Sequence, residues 1–234
     1  MSKVVKILDS IEGDGPCIAA IACDHPDAPV HASHMRSALA GFIQEAASGT
    51  LQLRNPPPLP EDSLRGAGHM HLHAEVFLQL QGQTTFTFPH AQLTLMPGEV
   101  LVVPPKLLHD ERVSGSQGQA FSNMVISADS QRMSCRLAHE DRPGHPASLY
   151  LETCSHLEAM RIEGWLRDAA RPPAQDSPGL WPLQQRALLA AALSSVARLL
   201  DAPQKTLSQE PALLNQLRRL VQNRMRSEER RVGK

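Results

Sequence analysis

The sequence predicts an α+β fold, in which a small N-terminal β-barrel is followed by C-terminal α-helices. Between residues 68 and 127, short runs rich in Val, Leu, Phe and Thr are separated by turn-forming residues, which is typical of closely spaced strands. From residue 156 onward, apolar residues recur at helical spacing instead. The 234 residues suffice for one or two domains, and a net charge of −1 gives no overall field that would attract nucleic acid or a membrane.

The first 60 residues have a mixed composition with few clear elements. We predict a short buried strand at residues 18–22 and a helix at residues 37–47. The proline-rich run at residues 56–60 lacks backbone donors and predicts a stiff, extended connection. The N-terminus has no apolar segment like that of a signal peptide, and the four cysteines form no CxxC pair. We therefore expect reduced thiols and a cytoplasmic protein.

The middle of the chain predicts five strands that form a barrel or a sandwich. Phe86 and Phe88 alternate with threonines, which indicates a half-buried strand. We place a barrel domain at residues 1–130, with its core motifs at residues 66–113, and expect strands from the N-terminal region to close it. The predicted strands are residues 75–80, 84–88, 92–95, 99–103 and 121–127.

The following region, residues 150–205, predicts a helical linker that also mediates dimerisation. Helices are expected at residues 156–169 and 183–200, with a breaker-rich segment between them. The second helix carries an apolar stripe with a 4-3-4 spacing, which indicates either intramolecular core or a contact between two copies. We predict a homodimer. The stripe consists of Leu189, Leu193, Val196 and Leu200.

The end of the chain predicts one more helix and then a change in character. The helix starts near Ser208, whose hydroxyl is a plausible cap, and it has an apolar face opposite a basic face. The basic face indicates a solvated cationic surface rather than a reader of bases. Residues 227–234 are unlike the rest of the chain, and we interpret them as a foreign tail.

A run of histidines carries the strongest indication of function. His69, His71, His73 and Glu75 share one parity, so in a strand all four side chains would point into the barrel, where His109 would join them. Imidazole and carboxylate groups are the ligands of a divalent-metal site. The same groups could instead bind one another, water or an organic ligand. The predicted ligand pocket also includes Phe77 and Gln79, and no catalytic residue is predicted.

These residues also fit a longer pattern. His69-x-His71, three residues and Glu75 precede Gly82, and Gly98 is followed by two prolines and His109. This spacing resembles the two motifs of the cupin family. The resemblance implies that His69, His71, Glu75 and His109 bind a divalent metal such as Fe, Zn, Mn or Ni. Three positions depart from the pattern: Lys106 stands where the family usually has Gly, Val113 where it often has Asn, and His73 is an extra histidine.

The order of the segments resembles the AraC/XylS-type transcription regulators. In that family a cupin barrel senses a small molecule and dimerises, and two helix-turn-helix units bind DNA. The resemblance implies that residues 206–226 begin a DNA-binding domain that is truncated, so that DNA would be bound only through the missing part. The implied function is the ligand-sensing and dimerisation portion of a regulator, with a small-molecule effector. The alternative is a metal-dependent cupin enzyme, either a dioxygenase or an isomerase.

Overall fold

The computed structural model describes residues 18–21, 26–57, 68–116, 118–171, 179–202 and 205–206. These residues form two β-sheets and a layer of three helices, which confirms the predicted α+β class. The larger sheet has the order β11-β1-β10-β9-β8-β3-β6-β2, and the smaller has the order β5-β4-β7. The strands are Ile18–Ile21 (β1), Gln52–Arg54 (β2), Glu75–Gln81 (β3), Gln83–Phe88 (β4), Ala91–Leu95 (β5), Glu99–Val103 (β6), Asp110–Ser114 (β7), Ser122–Ala128 (β8), Arg132–Arg142 (β9), His145–Ser155 (β10) and Lys205–Thr206 (β11), and the helices are Ala28–Ser48 (α1), Glu158–Ala169 (α2) and Trp181–Asp201 (α3).

The larger sheet separates two hydrophobic cores. Along β3, alternate residues point to opposite faces, so that Val76 and Leu78 pack against the helices while Phe77 packs against the smaller sheet. Phe86 and Phe88 of the smaller sheet complete the second core with Phe77. The two sheets therefore face each other in an open, barrel-like arrangement, and the helices cover the outer face of the larger sheet.

The helix layer belongs to the same folded unit as the sheets. The four residues of the apolar stripe on α3 are at most 2% exposed and share one core with α1, α2 and the sheet. The intramolecular interpretation of that stripe is therefore confirmed. The larger sheet continues through β9 and β10 to Ser155, so the barrel extends beyond the boundary expected at residue 130. The predicted elements at residues 206–226 and 227–234 lie almost entirely outside the described residues.

One charged network fixes α1 and α3 to the sheet. The guanidinium of Arg36 on α1 donates hydrogen bonds to both carboxylate oxygens of Glu152 on β10, at 2.8 and 3.1 Å. It also donates to Asp201 on α3 at 2.9 Å and to the Leu200 carbonyl at 2.7 Å. The Tyr150 hydroxyl donates to Glu152 at 2.6 Å. Glu152 is buried, and a buried carboxylate needs such partners to remain charged.

Two further expectations concern cysteines and membranes. Cys154 is disulfide-bonded, so the expectation that all four cysteines are reduced thiols is wrong for this residue. Cys135 is a buried free thiol whose pKa is raised by desolvation. Among the helices described, none combines the length and the apolar character that crossing a bilayer requires.

The burial of the α3 stripe leads to a stability prediction. We expect Leu193→Ala to lower the free energy of unfolding by about 2–5 kcal/mol, because it removes buried methyl groups and leaves a cavity. Leu183→Ala on the same helix is the matched control, since Leu183 is 65% exposed and its replacement should change the value by less than about 0.5 kcal/mol. Urea denaturation of both variants measures the difference. Equal losses would contradict the assignment of Leu193 to the core.

Candidate functional site

The segment that carries the histidines is not a strand. β3 begins only at Glu75, and the preceding residues form an irregular segment that crosses the mouth of the barrel. This segment is tied to the residue before β7 by two backbone hydrogen bonds between His69 and His109, at 2.8 and 2.9 Å. Gly68 permits this close approach: its φ is 135°, and a Cβ atom there would lie 2.4 Å from the His109 carbonyl oxygen. The strand expected to carry these histidines is therefore absent, and their segment is irregular.

A second backbone contact places His71. The amide of Lys106 donates a 2.7 Å hydrogen bond to the His71 carbonyl. Lys106 adopts a φ of 64°, which is the left-handed region where glycine is favoured. The departure from the cupin pattern at this position therefore has a conformational cost of about 1 kcal/mol. The turn keeps the shape that a glycine would adopt without strain.

Three imidazole rings converge at this mouth. The ring centroids of His69 and His109 are 4.5 Å apart, those of His69 and His71 are 4.9 Å apart, and those of His71 and His109 are 5.6 Å apart. One nitrogen from each ring lies within 4.8 Å of the other two. In the described part of the chain, none of the three Nε2 atoms has a hydrogen-bond partner although all are buried. His109 Nδ1 donates to the Leu107 carbonyl at 2.9 Å, which leaves its Nε2 as a free acceptor.

Two carboxylates border the imidazoles. Glu75 Oε2 lies 3.2 Å from His71 Nε2. Glu111 Oε1 lies 3.7 Å from His69 Nε2 and 4.0 Å from His109 Nε2. Sequence reasoning missed Glu111. Its parity with His109 was the available signal, because residues two apart at the beginning of a strand point to the same side.

Burial keeps the central imidazoles neutral. The pKa of His71 is lowered to about 3, first by desolvation and then by the neighbouring His69 and His109, with the positive charge of Arg136 contributing in the same direction. Desolvation also lowers the pKa of His109. Neutral imidazoles have a free lone pair at neutral pH, which both metal ions and hydrogen-bond donors can use. The donor set therefore fits a divalent ion.

The remaining predicted pocket residues lie in different places. His73 is exposed and outside the cluster, because the strand parity from which it was predicted begins only two residues later. Phe77 is fully buried beneath the cluster, with its ring centroid 6.5 Å from that of His109. Gln79 is buried deeper, and its amide group is already used by Thr84 at 2.7 Å and by the Gln81 carbonyl at 2.8 Å. Phe77 belongs to the core between the two sheets, and Gln79 holds neighbouring strands together.

Comparison with known proteins identifies the family. The chain matches the model of the AraC-like ligand binding domain over residues 61–223. The chain belongs to this family. An AraC-like ligand binding domain is of the cupin type and has a ligand-binding role in regulators of the AraC class. Neither the curated proteins nor the solved structures give a significant match.

The lowered pKa of His71 predicts a dependence of stability on pH. Below pH 6.5 the unfolded AraC-like domain binds a proton at this imidazole, whereas the folded domain does not, so stability falls as the pH is lowered. Between pH 7 and pH 5 the free energy of unfolding of the wild type should decrease. We expect His71→Asn to make this decrease smaller by about 1 kcal/mol, allowing for the partial exposure of the ring. Chemical denaturation with a chelator present measures this. His73→Asn is the control, and parallel curves for wild type and His71→Asn would contradict the prediction.

Proposed function

We propose that this chain is the effector-sensing part of an AraC-type transcription regulator, and that the effector binds at the mouth of the barrel. The observation that carries the proposal is the convergence of three imidazole nitrogens that are buried and without hydrogen-bond partners among the described residues. Buried polar atoms are normally satisfied, so a group of three in one place indicates a missing ligand. The partly exposed side chain of His71 marks the side from which a ligand would enter.

A divalent metal ion fits the same atoms. His69, His71 and His109 would hold it, and Glu75 or Glu111 would supply a carboxylate oxygen. When bound, the ion would supply a Lewis-acidic point to which a polar group of the effector binds. The residues of the chain keep their own roles: they orient the imidazoles and exclude water from His109, while Phe77 fills the core beneath the site.

The architecture also supplies a route for a signal. In β3, Glu75 and Phe77 face the site, while Val76 and Leu78 face the helices. A ligand that prefers one position of β3 therefore also shifts the packing of the helix layer. In the full regulator this layer would pass the change to helix-turn-helix units, through which DNA is bound, rather than bind DNA itself.

Homodimer formation is part of this proposal. The stripe on α3 cannot provide the interface, because it is buried within one chain. Apolar side chains elsewhere in the helical region remain exposed, among them Leu157, Met160 and Leu183. Multi-angle light scattering after size exclusion measures the mass, and a monomer at high concentration would contradict the dimer.

Binding of a metal is tested most simply with the metal alone. We expect His71→Asn to weaken Zn²⁺ binding at least tenfold, because it removes one of three imidazole ligands. Isothermal titration of chelator-treated protein measures the affinity, and elemental analysis of untreated protein identifies any metal acquired during expression. His73→Asn is the matched control, since His73 is exposed and should leave the affinity unchanged. Equal affinities for wild type and His71→Asn would contradict the metal site.

Sensing is tested with a library of small metabolite-like compounds. We expect some compounds to raise the melting temperature of the wild type and of His73→Asn but not of His71→Asn, because only His71 belongs to the cluster. The alternative function, a metal-dependent dioxygenase or isomerase, is favoured by the accessible side of His71. Consumption of oxygen, or turnover of a compound that binds, would support the enzyme and contradict the sensor. Compounds that stabilise all three proteins equally would argue against a site at the cluster.

A further inference from the structure

Arg136 lies on the same face of the larger sheet as the candidate site. In the cross-strand register, Phe77 of β3 is opposite Val125 of β8, and Val125 is opposite Arg136 of β9. Residues directly opposite one another in antiparallel strands project from the same face. The neighbouring row contains Glu75 and is displaced by two residues toward the mouth of the barrel. Arg136 is therefore in the row directly below the carboxylate that contacts His71.

The guanidinium of Arg136 is incompletely satisfied. The side chain is partly buried, and its Nε atom is buried with no hydrogen-bond partner among the described residues. Arg36 is another partly buried arginine, and its guanidinium is fully partnered. It donates hydrogen bonds to the carboxylates of Glu152 and Asp201 and to two backbone carbonyls. An arginine remains charged at any physiological pH, so a buried donor without an acceptor is costly unless a partner arrives from outside. The missing partner of Arg136 would be an anion.

The charge of Arg136 reaches the imidazole cluster. It is one of the causes of the lowered pKa of His71, which places the guanidinium within electrostatic range of that ring. The site also contains the two carboxylates Glu75 and Glu111, together with neutral imidazoles. With both carboxylates ionised, the formal charges of Glu75, Glu111, Arg136 and a divalent ion add up to +1, which a single carboxylate of a ligand would neutralise.

We propose that the site at the mouth of the barrel binds an organic acid whose carboxylate pairs with Arg136. This inference rests on the proposed sensing function and narrows it to one chemical class of ligand. A guanidinium donates two parallel hydrogen bonds to a carboxylate, a geometry that a neutral amide of the same shape cannot match. Arg136 thus selects the ligand by its charge, and the imidazole cluster holds its other polar groups or the metal.

The test uses matched pairs of acids and amides as probes. Acetate, benzoate and phenylacetate are compared with acetamide, benzamide and phenylacetamide, and inorganic phosphate is added as a separate anion. Thermal shift and isothermal titration are measured on the full chain, with and without added Zn²⁺. We expect at least one acid to bind, either with or without Zn²⁺. Its amide should bind about 10- to 100-fold more weakly, and Arg136→Gln should lower the affinity for the acid by a similar factor. Phosphate alone should bind more weakly than that acid.

Variants separate binding from structural support. Arg136→Lys should keep part of the affinity, because it keeps the charge but not the bidentate geometry. Arg112→Gln is the control, since Arg112 is exposed on the smaller sheet and its loss should leave binding unchanged. Arg136→Met should leave the stability of the ligand-free protein unchanged or increased, because no protein partner of Nε is lost. A strong destabilisation would indicate a structural role and overturn the proposal.

Failure of this proposal is distinguishable from failure of the sensing function. If the acids do not bind, or bind Arg136→Gln as tightly as the wild type, the anion proposal is overturned. If neutral compounds bind, lose affinity in His71→Asn and keep it in Arg136→Gln, sensing stands and the assignment of an acid is wrong. Phosphate that binds as tightly as the best acid would overturn the assignment of an organic acid. An acid whose affinity falls in both Arg136→Gln and His71→Asn supports both proposals together.

Discussion

The site depends on two backbone hydrogen bonds that join His69 to His109. They bring an irregular segment and the entrance to β7 together, although the two residues are far apart in the sequence. Without them, only the hydrogen bond from the Lys106 amide to the His71 carbonyl would tie this segment to the neighbouring turn, and His69 would not be fixed beside His109. Gly68 makes the contact sterically allowed, because any side chain there would collide with the His109 carbonyl. The backbone contact therefore comes first and the chemistry of the side chains follows from it.

The second constraint is the alternation of side chains along the larger sheet. One face packs against the barrel interior and the other against α1, α2 and α3, so a displacement of β3 is felt by both cores. Arg36 reinforces this connection by joining α1, β10 and α3 in one network around the buried Glu152. Under the proposed function, a ligand at the mouth would act on the helices through this packed sheet.

Different parts of the molecule were predictable from the sequence to different degrees. Strands with strong alternation, such as β4 around Phe86, were predicted to within one residue, because burial on one face determines their pattern. The strands β7, β9 and β10 were not predicted, since residues such as Glu111 and Arg136 place charge on an inward face. In the structure, these polar inward residues belong to strands. In a single sequence, however, a strand with a polar residue on its inward face looks the same as a loop.

The site itself was predicted through spacing rather than through local structure. His69, His71, Glu75 and His109 do come together, although the strand expected to align the first three does not exist. That same error placed His73 inside the barrel. The strained turn at Lys106 was visible in the sequence as a departure from the cupin pattern, and the structure shows that the turn keeps the left-handed conformation. Motif spacing predicted the convergence of residues, whereas parity predicted side-chain direction only within true strands.

The central claim is that three imidazoles of one chain share a single ligand at the mouth of the barrel. X-ray absorption spectroscopy of the Zn²⁺-loaded protein tests it directly, because imidazole rings give a characteristic outer-shell scattering. The account predicts three imidazole ligands at about 2.0–2.1 Å together with oxygen donors, and no sulfur. A spectrum dominated by sulfur, or by oxygen with fewer than two imidazoles, would contradict it.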